Sequence, residues 1–193
     1  MRLKILDNGH GFGTKALFAL IATASRKPVL DIIKLVKYRP EFYGNAMARV
    51  TQEAMRGPSA WSVGDRELMA AVVAQTNDCA FCTAAHAAVA RQAYKEEAKV
   101  LAVLSNLDTA DIDEKLRATL RMLRKLTRDD AVDVEDMRSL LKAGVSQAEI
   151  QDALAVAFAF NTITRLAEAF GFHVPGDDAM NAGAKFLLAR GYG

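Results

Sequence analysis

Apolar residues recur at helical spacing along most of the chain. Leu68, Met69, Val72 and Val73 form one face running up to Thr76, with Ser62 or Asp65 placed to cap that helix. Leu116, Leu120, Leu123 and Leu126 line one side of a strongly amphipathic helix that begins at Asp111, and a shorter helix over 134–142 is ended by Gly144. Ser146 and Glu149 have capping-box spacing and open the longest run, which reaches Phe170 before Gly171 stops it. Upstream, Pro28 suits the first turn of a helix over 28–38, and a second over 40–55 is closed by Gly57 and Pro58. Asn77 and Asp78 break the pattern, after which a helix over 79–92 is predicted, rich in alanines (Ala84, Ala85, Ala87, Ala88, Ala90) that permit close backbone approach. A short element over 96–104 and a last helix over 177–190 complete an all-α fold. With no linker or low-complexity stretch, 1–193 reads as a single domain carrying 1–27 as an N-terminal extension.

One internal echo stands out. Aligning Glu67 with Glu149 superposes Val63 on Val145, Leu68 on Ile150, Ala71 on Ala153 and Val72 on Leu154, and sets Cys79, Cys82 and His86 opposite Asn161, Thr164 and Glu168. A helix-break-helix unit occurring twice would produce this match, as would a shared amphipathic period.

Composition agrees with helices: 51% of residues are apolar and only 4 are proline. The chain carries 25 Lys and Arg against 23 Asp and Glu, so charge supplies no reason to expect a nucleic acid or an anionic membrane as partner. A small or neutral substrate is the natural alternative. No apolar run is expected to reach the roughly 18 to 20 residues that span a bilayer. Residues 16–24 lack charge, follow Lys15 and end in an Ala22, Thr23, Ala24 triplet resembling a signal-peptidase site. Leu17, Phe18, Leu20 and Ile21 at helical spacing, after Asp7 and the glycines Gly9, Gly11 and Gly13, fit a packed N-terminal helix better. A reducing cytoplasm is therefore expected, where a closely spaced cysteine pair reads as catalytic rather than structural.

The chain has only two cysteines, Cys79 and Cys82, and they stand in a Cys-x-x-Cys pair. On a helix Cys79, Cys82 and His86 share one stripe. Cys79 falls at the first turn, where free backbone N–H groups and the positive dipole end stabilise a thiolate, as does a nearby imidazolium. His86 needs a carboxylate to set its tautomer, and Glu67 on the preceding helix reaches it if the two helices fold back across the Asn77–Asp78 break. A proton relay from Glu67 through His86 to a dithiol/disulfide couple follows.

Rival readings are weaker. The cysteines could be simple core residues. Zinc would find three ligands in Cys79, Cys82 and His86, but there is no second cysteine pair and only His10 and His173 are spare, so no metal is expected. Thr83, where c-type haem attachment needs histidine, removes that cofactor. Trp61 and Tyr43 read as packing or interface residues. Lys115, Arg117, Arg121, Arg124, Lys125 and Arg128 read as a solvated helix face onto which an acidic partner could dock.

The spacing of Glu67, Cys79, Cys82 and His86 resembles the signature of the alkylhydroperoxidase D-like proteins of the carboxymuconolactone decarboxylase superfamily. Arg39 and Pro40, the Gly57–Pro58 turn, the approach from Ser62 to Glu67 and the segment from Asn161 to Gly171 are similar to its peroxidase-related branch. The resemblance implies an all-helical fold, assembly into trimers or hexamers, and reduction of a small hydroperoxide by the cysteine pair without cofactor or metal. A dithiol or a reductant protein would return the electrons. It also implies that Cys82 attacks the peroxide and Cys79 resolves, an order the residues themselves leave open: Cys79 has the better helix-end position, Cys82 the nearer histidine. Some relatives carry a histidine between the cysteines where this chain has Phe81. A non-catalytic redox sensor or assembly protein, or a decarboxylase-like enzyme, are the alternative functions of such a fold.

Overall fold

The computed structural model describes residues 1–192, with the side chains of Phe42 and Tyr43 outside the described set; the role suggested for Tyr43 therefore lies outside the described residues. Eleven α-helices and one π turn, with no strand among the described residues, make an all-α fold. In chain order they are α1 (Ile5–Asn8), α2 (Phe12–Ser25), α3 (Asp31–Tyr38), the π turn (Pro40–Gly44), α4 (Asn45–Arg56) and α5 (Val63–Thr76). Next come α6 (Ala80–Tyr94), α7 (Glu97–Ser105), α8 (Glu114–Asp129), α9 (Val134–Lys142), α10 (Gln147–Phe170) and α11 (Asp177–Arg190).

The centre is the α5–α6 hairpin. From Arg66 to Ala74 every residue of α5 is buried, because α6, α10, α8, α4 and α7 surround it. A helix covered on all sides must be apolar on nearly all sides. Its start is fixed by a capping box in which Ser62 and Asp65 satisfy each other's backbone N–H groups. At Gly64 an added Cβ would lie 2.8 Å from the Tyr94 ring, so a glycine there lets the ends of α5 and α6 touch. The Asn77–Asp78 break is built as a tight reversal: Asp78 takes a left-handed conformation (φ 55°) and the Cys79 N–H donates to Ala74 O at 3.0 Å. The Asn77 amide then donates to Asn161 Oδ1 and Thr164 Oγ1, each at 2.9 Å, locking the reversal to the middle of α10.

Four sequence expectations change. The helix expected over 40–55 opens with a π turn, and α4 proper begins at Asn45. The internal echo does not become a second hairpin. Ala159 and Phe160, which correspond to Asn77 and Asp78, sit inside an unbroken α10, because apolar side chains continue the helix where a polar pair would stop it. That same helix is long and apolar enough to cross a membrane by length and composition, against the expectation that no run would be. Its Val156, Ala159, Phe160 and Ile163 are instead buried against the chain. Finally, α2 exists but is not packed: no residue of it is buried, and Phe12 is 91% exposed. Phe18, half-buried, lies beside His10 with ring centroids 4.8 Å apart.

The cations of α8 are engaged. Lys115 pairs with Glu149 at 2.6 Å, Arg121 and Arg124 with Asp108, and Lys125 with Asp133 and Asp136, so the face is ion-paired rather than a free basic patch. Lys115, followed by the Ser146 N–H, pulls the Glu149 pKa down to about 2. Trp61 is a packing residue, buried with its indole N–H on Glu149 O at 2.8 Å.

Phe158 (65% exposed) and Leu154 on α10 and Leu20 (66% exposed) on α2 face outward. The molecule exposes 10283 Å², against about 9,000 Å² for a compact monomer of its mass. An excess of about 1,300 Å² exceeds the roughly 800 Å² that one partner buries in a standard interface. We propose that further copies of the chain cover these faces. Sedimentation equilibrium at micromolar concentration should return a multiple of 20.9 kDa, and Phe158→Asp should shift the distribution toward single chains. A wild-type mass of one chain would remove the proposal.

Candidate active site

Cys79 is the N-cap of α6, and its carbonyl accepts both the Thr83 N–H at 3.0 Å and the Thr83 hydroxyl at 2.9 Å. Cys82 lies one turn on. The two are free thiols 3.4 Å apart, with only 0% and 2% of their surfaces exposed. Their environments pull them in opposite directions. The Cys82 S–H donates to Cys79 and lowers the Cys79 pKa; burial opposes this, the Cys82 backbone N–H adds to it, and the Glu168 carboxylate also opposes. Cys82, as the donor, is pushed up, first by that hydrogen bond and then by burial. Of the two thiols Cys79, at the helix N-terminus, is therefore the more readily ionised, while the family resemblance puts attack on Cys82.

The acid–base half of the site is a buried carboxylate surrounded by donors. Glu67, fully buried on α5, accepts from His86 Nδ1 at Oε2 (2.8 Å) and from Arg56 Nη2 at Oε1 (2.7 Å). The Tyr192 hydroxyl lies 2.9 Å from Oε1 and 3.1 Å from Oε2. Burial acts most strongly on Glu67 and pushes its pKa up. His86 and then Arg56 together outweigh burial, so the carboxyl stays below its usual range. An ionised carboxylate only accepts hydrogen bonds, so Nδ1 of His86 carries a proton and the contact selects the Nδ1–H tautomer of a neutral imidazole. The Tyr192 phenol is pushed well above its usual value, by burial and then by the Glu67 charge, and stays a donor. Phe160 packs edge-on against the imidazole, with ring centroids 4.3 Å apart.

Structure thus brings Glu67 to His86, as the folded-back hairpin requires, and Cys79 to Cys82. Among the described residues no hydrogen bond links His86 to either thiol; Cys82 and His86 adjoin only as successive turns of α6. Arg56 and Tyr192 were not legible as site residues. Arg56 ends α4 and Tyr192 follows α11, and neither has a spacing relation to Glu67 that a helical period would expose. His10 is buried elsewhere on Leu6 O at 3.0 Å, and the His173 N–H bonds Asp31. No group of three or more His, Cys, Asp or Glu among the described residues is arranged to hold a metal. Two open clefts, of about 370 and 330 Å³, lie between α8 and α9 and between α4 and α10; their lining residues include neither cysteine.

Residues 41–125 match the carboxymuconolactone decarboxylase family, a segment that holds Arg56, Glu67, both cysteines and His86. Through this segment the chain resembles the carboxymuconolactone decarboxylase family. It is similar over 91% of its length to 92% of an uncharacterised peroxidase-related protein from Silicibacter sp. TM1040, at 25% identity and a TM-score of 0.77. A second structure, the alkylhydroperoxidase AhpD core of an uncharacterised peroxidase-related protein from Ralstonia eutropha JMP134, aligns over 95% of this chain and 96% of its own, at 20% identity and a TM-score of 0.75. The apo debrominase Bmp8 shares the fold at 14% identity and a TM-score of 0.69, over 92% and 94% of the two chains. No curated protein matches by sequence.

Because Arg56 neutralises a carboxylate with no exposed surface, Arg56→Ala should cost about 3 to 5 kcal/mol, read as a fall in the urea midpoint. The Glu67 contribution has the sign of a depressed acid. It is complete above the ordinary glutamate pKa of about 4.3 and is lost as pH falls through the lower folded value. Arg56→Ala should therefore also move acid unfolding to higher pH.

Proposed function

We propose that the protein is a thiol-dependent hydroperoxide reductase acting in a reducing cytoplasm as a ring of three or six copies. The observation that carries this reading is the isolation of the chain's only sulfhydryls: two thiols 3.4 Å apart at a helix start, one turn from a histidine that a buried carboxylate orients. Similarity to peroxidase-related proteins supports it.

In the reaction, one cysteine attacks the terminal oxygen of a hydroperoxide as thiolate. The O–O bond breaks, the alkoxide leaves and takes a proton to become the alcohol, and the cysteine becomes a sulfenic acid. The second thiol attacks that sulfur, water leaves, and a Cys79–Cys82 disulfide forms. Two electrons have passed from the dithiol to the peroxide, and an external dithiol or reductant protein restores the pair by thiol–disulfide exchange. His86, with Nδ1–H given to Glu67, has Nε2 to take the proton of the attacking thiol and return it to the leaving oxygen. Glu67 acts in this scheme as the ionised partner that orients the imidazole rather than as a proton carrier, a revision of the relay read from sequence.

Burial of both thiols favours a second reading, a redox sensor that oxidises once and changes shape. Turnover separates the two. An enzyme should consume many equivalents of tert-butyl hydroperoxide per chain with dithiothreitol present, and Cys79→Ser and Cys82→Ser should each abolish this. A single equivalent consumed, or disulfide-linked dimers as the main product, would reject the reductase. The unequal acidity of the two thiols has its own check. Iodoacetamide should label Cys79 faster than Cys82 at neutral pH, and Cys82→Ala, lacking the S–H donor, should raise the Cys79 pKa seen in the rate–pH profile.

A further inference from the structure

We infer that Tyr192 is a positioning residue of the reaction centre: its hydroxyl, with Arg56, fixes the Glu67 carboxylate in the orientation that accepts Nδ1–H of His86 and leaves Nε2 for proton transfer. Its consequence for rate rests on the thiol chemistry proposed above; its consequence for the imidazole does not.

The approach of Tyr192 is dictated locally. After α11 the chain must turn inward, and Gly191 does so with φ 72° and ψ −154°, a region essentially restricted to glycine. A Cβ there would lie 2.4 Å from Gln52 Oε1, the atom that accepts the Tyr192 N–H at 2.6 Å. A side chain at position 191 would thus be excluded twice, by conformation and by contact. Once inside, the phenol oxygen sits astride the carboxylate, 2.9 Å from Oε1 and 3.1 Å from Oε2, and 3.4 Å from His86 Nδ1. It can donate its one proton to either oxygen, which resists rotation of the carboxylate about its last bond. Arg56 also donates to Oε1 and is itself held by Met55 O at 2.8 Å and Leu187 O at 3.3 Å. The Tyr192 ring lies nearly parallel to the imidazole, at 22° and 6.3 Å between centroids, with the Arg56 guanidinium 5.0 Å from its own centroid. Phe160 stands edge-on to the imidazole at 4.3 Å. The imidazole is therefore bounded by two aromatic rings while its Nδ1 is held by an acceptor that cannot turn.

A residue that only pinned the segment after α11 to the core would make some of the same contacts. Two measurements on the full-length reduced protein separate the roles. Imidazole ¹⁵N shifts should show His86 of the wild type as a single Nδ1–H tautomer and of Tyr192→Phe as a mixture of tautomers. Turnover of tert-butyl hydroperoxide with dithiothreitol should fall about tenfold to a hundredfold in kcat for Tyr192→Phe with KM unchanged, as expected when an acid–base group is misplaced by an ångström or less. The inference is overturned if the wild type shows the Nε2–H tautomer, a measurement that needs no variant. It is equally overturned if Tyr192→Phe loses thermal stability but keeps both tautomer and kcat. Absence of peroxide turnover in the wild type would instead reject the reductase reading, and the tautomer comparison would then decide the role of Tyr192 by itself.

Discussion

A carboxylate with no exposed surface sits at the centre of this protein, and its charge organises what surrounds it. An uncompensated buried charge costs several kcal/mol, so Glu67 has to be met by donors. They arrive from three places in the chain: Arg56 at the end of α4, His86 in the middle of α6 and Tyr192 beyond α11. Each brings its element with it. Arg56 also bonds Leu187 O, tying α4 to α11, and α11 packs along α6. One charge thereby holds together elements more than a hundred positions apart in sequence.

The same charge sets the chemistry. By staying ionised it gives the histidine a defined tautomer, and by being shared among three donors it is poorly suited to take up a proton itself. The cysteines form a second, adjoining unit whose polarity comes from the backbone. Cys79 occupies the N-cap, where an N–H is available, and Cys82 supplies its S–H, so the two thiols of one pair are unequal. Glu168, reaching in from α10, works against negative charge on either sulfur. The balance between helix-end donors and that carboxylate sets how readily either thiol of the pair ionises.

Helix α10 has two sides with different fates. Val156, Phe160 and Ile163 fill the core against the hairpin, and Phe160 also packs against the His86 imidazole, whereas Leu154 and Phe158 point outward. An exposed phenylalanine in the middle of a long helix, together with an N-terminal helix in which no residue is buried, is the observation on which the proposed contact with further copies rests.

Periodicity and capping signals, which are local, were enough to read the helices from Ser62 to Arg190, because cap chemistry and an apolar stripe act within a few residues. The pairing of Glu67 with His86 was also legible, since a two-residue break between helices leaves an antiparallel return as the simplest path. What sequence could not show was long-range. The rest of the carboxylate's shell comes from Arg56 and from Tyr192, and whether those side chains reach Glu67 depends on how α4 and α11 lie across the hairpin. The match between Glu67 and Glu149 repeated the period without repeating the turn, because a helix continues or stops on residues such as Phe160 or Asp78 and not on its amphipathic rhythm. Likewise the apolar stripe of α2 specified a helix but not a cover for it. Local order needs only neighbouring residues; the partner of a buried charge or of an apolar face is chosen by packing in three dimensions.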